Sequence, residues 1–121
     1  MVKALFDTNV LIDFLNAVPE ARDELARYSD KAISVITWME VLVGAEADVE
    51  SRTRAFLDSF NVLPLDNEIA ERAVTLRRKH RTKLPDAIIW ASADFHSMLL
   101  VTRNTKGFPQ AMPGVRIPYS L

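Results

Sequence analysis

The chain has 121 residues, 49% apolar and 26% charged, the balance of an ordinary folded soluble protein and long enough for one domain with its own core. Fifteen basic residues against sixteen acidic ones leave a net charge of −1, which argues neither for nor against a polyanionic partner, since a local basic patch can bind one. The absence of cysteine excludes a disulfide framework, a thiolate zinc site and a cysteine nucleophile.

The expected elements alternate along the chain. Residues 2–6 read as a short strand that Asp7-Thr8-Asn9 ends. Val10, Leu11, Phe14 and Leu15 then follow helical spacing, with Asp13 and Asn16 on the other side. Pro19 is placed to open a second helix, as proline suits a first turn. Residues 32–36 form a compact, β-branched strand candidate, and 37–46 a helix whose stripe is Trp38, Val41, Leu42 and Ala45. Residues 49–60 read as another helix and 61–65 as a brief extended segment. Asp66 is an N-cap candidate for a helix over 67–80, with Ile69, Ala73 and Leu76 inward. The most apolar helix covers 85–97, a strand covers 98–102, and the tail from Gly107 is loop with an edge strand at 115–117. No apolar run reaches the length of a membrane span, and Asp7 and Asp13 interrupt the apolar start before a signal-peptide core forms. The expectation is one cytoplasmic domain, residues 1–121, with no membrane partner.

Strands alternating with helices predict a parallel sheet with helical crossovers. Binding crevices in such sheets lie beyond the carboxyl ends of the strands. Asp7, Glu40 and Asp86 each stand where an apolar strand-like run meets a helix-like one. Each also has a local explanation. Asp7 suits a helix cap, Thr37-x-x-Glu40 matches a capping box, and Asp86 complements the dipole of a first turn. Taken together they point elsewhere: carboxylates among Leu5, Phe6, Ile88 and Trp90 need something to satisfy their charge. Hard divalent cations take oxygen ligands of this kind. Asp13 and Asp94 are displaced along their helices and read as solvent-facing or structural, while His80 and His96 lack metal-ligand spacing. Trp38 and Trp90 belong to apolar stripes and read as core.

Four segments carry a resemblance. They are Phe6-Asp7-Thr8-Asn9-Val10-Leu11-Ile12-Asp13, the run from Ser34 through Glu40 to Gly44, Leu84-Pro85-Asp86-Ala87-Ile88-Ile89, and the run from Leu100 through Thr102 to Phe108. In order and spacing the chain resembles the PIN-domain ribonucleases, specifically VapC-type toxins of toxin–antitoxin pairs, over essentially its whole length. The resemblance implies a three-layer α/β/α fold with a central parallel sheet. It implies Mg²⁺, with Mn²⁺ as a substitute, held by Asp7, Glu40 and Asp86, with Thr8, Asn9 and Thr102 in support. It further implies RNA as substrate, usually a homodimer, and inhibition by a small cognate antitoxin. Relatives commonly carry one more acid, where Asn104 or Gly107 stands here. Asn104, counted with the catalytic set, can accept a metal or water through its carbonyl oxygen but adds no charge. That loss implies a weaker second metal position, lower activity or a one-metal enzyme.

The expected chemistry is metal-assisted phosphodiester hydrolysis, with no nucleophilic side chain. Arg103 and Lys106, flanking Asn104, and Lys83, closing the run Arg77, Arg78, Lys79, Arg81, are the candidate RNA contacts. The alternatives are a degenerate PIN domain that binds RNA or protein without cutting, and a haloacid-dehalogenase-type phosphohydrolase. The latter needs a second aspartate two residues after the first, where this chain has Asn9.

Overall fold

The computed structural model describes residues 2–108 and 113–121. A five-stranded sheet in the order β3-β2-β1-β4-β5 is parallel throughout. Its strands are β1 Lys3–Phe6, β2 Asp30–Ser34, β3 Asn61–Leu63, β4 Leu99–Val101 and β5 Val115–Arg116. The helices are α1 Thr8–Leu15, α2 Pro19–Ala26, α3 Val35–Val43, α4 Glu50–Asp58, α5 Asn67–His80 and α6 Leu84–Phe95. No helix among the described residues is long and apolar enough to cross a membrane.

The pleat of β1 divides the core. Ala4 and Phe6 pack on one face with Val10, Leu11, Leu25 and Leu57, whereas Leu5 packs on the other with Ile89, Trp90 and Phe108. Both faces are covered, which is why these strands are apolar without alternation. The chain winds outward from β1 to β2 and β3, then returns to place β4 on the opposite side of β1. That reversal between β1 and β4 is the topological switch point where such sheets open a crevice.

Several boundaries differ from the sequence reading. The second strand was expected over 32–36 but ends at Ser34, whose Oγ accepts the Ile36 amide at 3.2 Å and starts α3 two residues before Thr37. Thr37 therefore lies inside the helix, fully buried, and there is no Thr37–Glu40 capping box. The helix α5 begins as expected, with Asp66 Oδ1 accepting the Ile69 amide at 2.9 Å. Part of the tail expected as loop, residues 109–112, lies outside the described residues. Trp90 is core, while Trp38 is half-buried with the Arg54 guanidinium 5.6 Å over its ring.

Candidate active site

Asp7 follows β1 and caps α1, almost fully buried at the switch point. Its Oδ1 accepts the Thr8 amide at 2.7 Å, and its Oδ2 accepts the Thr102 hydroxyl at 2.7 Å and Asn9 Nδ2 at 3.3 Å. Thr102, just past β4, is itself fixed, since its Oγ1 accepts the Asn104 amide and its own amide bonds Arg116 in β5. Asn9 ties the same loop from the other side through the Arg103 amide. Thr8, Asn9 and Thr102 thus all act on Asp7 or its neighbours.

Glu40 projects from α3 and is exposed. Thr8 Oγ1 lies 2.6 Å from Glu40 Oε1 and 3.1 Å from Thr37 Oγ1. A carboxylate only accepts, so the Thr8 hydrogen goes to Glu40 and Thr37 supplies the other. Thr37 is thus a site-supporting residue that the sequence reading treated only as a cap. Asp86, in the first turn of α6, is half-buried.

Asp7 and Asp86 both titrate above the ordinary carboxylate value. Burial pushes Asp7 from 3.8 up to about 6; the Thr102 and Thr8 hydrogen bonds oppose this, and Asp86 and Glu40 add to it. Asp86 is raised too, by burial first and then by Glu40, with Lys83 opposing. Among the described residues no three His, Cys, Asp or Glu side chains converge tightly enough to cage a metal unaided. Mg²⁺ keeps several waters and is usually held through one or two carboxylates, so a looser trio of hard oxygen donors suits it. The donor chemistry, carboxylate oxygens only, is of the kind that hard divalent cations take.

Two expected residues behave differently. Asn104 was expected to offer its carbonyl oxygen to the centre. That oxygen instead accepts the Lys106 and Gly107 amides at 3.1 and 3.0 Å, and Nδ2 faces Asp86 Oδ2 at 3.5 Å. Gly107 is packed beneath this arrangement, where a Cβ would lie 2.5 Å from Asn104 Nδ2 and 2.8 Å from Asp86 Oδ2. Arg103, expected to meet RNA, places Nε and Nη2 on Asp13 at 2.7 and 2.9 Å. Asp13 is buried and also accepts the Tyr119 hydroxyl, so it is structural and not solvent-facing. Its place three residues after Val10, on the apolar side of α1, was the available signal. Lys83 and Lys106 are exposed beside the site, and Asp94 is exposed and paired with Arg72.

A groove of about 600 Å³ borders the centre, with Glu40 in its wall beside Ile12, Leu15, Val41, Ala45 and Val49. Ile12 and Leu15 are each more than 40% exposed.

Fold and site together define a parallel α/β domain with a carboxylate centre at its switch point. The PIN domain model matches residues 4–111, and the chain belongs to the PIN domain family. It is 34% identical to Ribonuclease VapC10 of Mycobacterium tuberculosis over 94% of each chain. Among solved structures it is similar to a chain of a toxin–antitoxin complex from Klebsiella pneumoniae, with TM-score 0.94 and 50% identity over 98% of this chain and all of that one. A chain of DNA-bound VapBC from Salmonella typhimurium gives TM-score 0.75 and 27% identity over 96% of each.

Proposed function

We propose that the chain is a divalent-metal-dependent endoribonuclease and the toxin of a toxin–antitoxin pair. The observation that carries this is buried Asp7 at the switch point, its pKa raised further by half-buried Asp86 and exposed Glu40, which Thr8 ties to the same loop. The similarity to a ribonuclease and to a chain of a toxin–antitoxin complex supports the substrate class and the partner. Asp7, Glu40 and Asp86 would hold Mg²⁺ or Mn²⁺, which when bound lowers the pKa of water, orients it and offsets charge on the leaving oxygen.

The chain's own residues do the rest. Thr102, Thr8 and Asn9 hold the Asp7 carboxylate in one rotamer. Thr8 fixes Glu40 through Oε1, leaving Oε2 to accept a proton. Asn104 acts as a donor toward Asp86. Lys83 and Lys106 would meet phosphate oxygens; Arg103, its charge balanced by Asp13, would contribute mainly by holding the loop. The same reading includes a small cognate antitoxin, for which the groove that Glu40 lines offers a seat, a homodimer, and the cytoplasm as the place of action.

The test is purified protein, freed of partner, incubated with a structured-RNA pool in Mg²⁺, in Mn²⁺ and in EDTA, beside Asp86→Asn. Discrete cleavage that requires both metal and Asp86 is expected. Intact RNA with folded, metal-binding protein would leave a non-cutting module.

A further inference from the structure

Arginines in this fold are mostly accounted for. Arg22, Arg27, Arg54, Arg72, Arg103 and Arg116 each lie 2.6–3.8 Å from a carboxylate. Of the other four, Arg52 borders the groove beside Glu40. The remaining three, Arg77, Arg78 and Arg81, gather around one cavity of about 550 Å³ that Val74 and Leu84 complete. No acid lines it. In a chain of net charge −1, uncompensated positive charge is concentrated here.

The helix dipole accounts for cations in the last turn of α5. It does not account for Arg81, which lies beyond that turn in the left-handed conformation at φ 56°. Glycine or asparagine is the usual residue there, because a Cβ is strained in that geometry. Arg81 is held in place nonetheless: its amide bonds Arg77 O at 2.8 Å, and Arg77 Nη1 bonds Thr82 O at 2.7 Å. Thr82 Oγ1 then bonds Gly107 O at 2.9 Å, and Gly107 is the residue packed against Asp86 and Asn104. A run of hydrogen bonds therefore links the arginine cluster to the carboxylate centre, and Leu84, which lines the cavity, precedes Asp86 by two residues in α6.

Each guanidinium presents a planar fork matched to phosphate oxygens, and its plane also stacks on unpaired bases. We propose that Arg77, Arg78 and Arg81 form a phosphate-binding site for the RNA backbone, holding the strand that flanks the bond presented to Asp7 and Asp86. This rests on the ribonuclease reading above.

Arg81→Gly separates binding from structure. It removes the charge while supplying the residue that the left-handed backbone favours, so a structural role predicts equal or higher Tm and unchanged RNA binding. The assay is fluorescence anisotropy with labelled bulk transfer RNA in EDTA, over a salt series, for wild type and Arg78→Gln/Arg81→Gly. The double variant is expected to keep its Tm, lose roughly tenfold or more in affinity, and show a log–log salt slope shallower by about 1.5. Undiminished affinity and slope overturn the site alone. A loss that accompanies a change in mass by light scattering overturns it in favour of a protein interface. Wild type that binds no RNA overturns the site and the ribonuclease reading together.

Discussion

Replacing Asp7 with asparagine should make the metal-free protein more stable at neutral pH, at the cost of any metal-dependent activity. Burial holds the Asp7 proton up to about pH 6, whereas the unfolded chain releases it near 3.8. Between those values the native state binds more protons, so stability falls as pH rises through that window and stays low above it. At about 1.4 kcal/mol per pH unit the ionised carboxylate costs about 3 kcal/mol at pH 7. Asparagine keeps the Thr8 amide bond but turns an amino group toward Asn9 Nδ2 and Thr102, forfeiting about 1 kcal/mol. The net gain is about 2 kcal/mol, or about 8 °C in Tm for a domain of this size. Thermal unfolding by circular dichroism in EDTA, from pH 4 to pH 8, measures it. The Tm advantage of Asp7→Asn should shrink and vanish toward pH 4, and added Mg²⁺ should raise the Tm of wild type alone. A gap independent of pH, or a wild type more stable at pH 7, would show that the cost does not reside at Asp7.

Glu24 has the opposite sign. Burial alone would raise its pKa, but bidentate Arg116 and the Tyr28 hydroxyl outweigh burial and lower it. Its contribution is present above the unfolded value of 4.5 and lost as pH falls through the lower folded value, so Glu24→Gln should cost about 2 kcal/mol at pH 7 and little in acid, read by urea titration at both. Gly107→Ala should cost about 1–3 kcal/mol, because the new methyl meets Asn104 and Asp86, and less in an Asn104→Ala background, where only the Asp86 contact remains; equal costs in both would show that Asn104 contributes none of the strain. Asp13→Ala strands Arg103 and Tyr119 and should lower stability by about 3 kcal/mol, the low end for a buried pair because Arg103 is 33% exposed. A chemical-denaturation midpoint unchanged from wild type would contradict that.

What sequence could reveal here followed from local chemistry. Asp66 announces α5 because its side chain caps the helix it begins, and the amide it would accept lies three residues on. Val35 and Ile36 look like strand because they are β-branched and follow Ala32-Ile33-Ser34, yet Ser34 captures the Ile36 amide and the chain turns helical. Thr37-x-x-Glu40 imitates a capping box, but Glu40 is engaged by Thr8 from another helix. Aspartates among apolar residues pointed to a shared centre, since isolated buried charge is costly. The Asn104 amide was illegible in a different way: which end faces Asp86 depends on the Lys106 and Gly107 amides in the turn it caps. No local pattern links Asp13 to Arg103 and Tyr119, whose separations are 90 and 106 residues.

The bond from Thr102 to Asp7 spans 95 residues of chain. Thr102 is held in turn by β5 through Arg116. Long-range pairings of this kind bring a loop-closure cost before they return any stabilisation. A molecule whose β4–β5 edge has come away keeps Asp7 at the end of β1 but loses the hydroxyl that orients it. Opening at that edge would release the Asp7 carboxylate from Thr102 while β1, β2 and β3 stay paired. Amide exchange at Leu100 and Thr102, compared with Leu5, would report how often the edge opens.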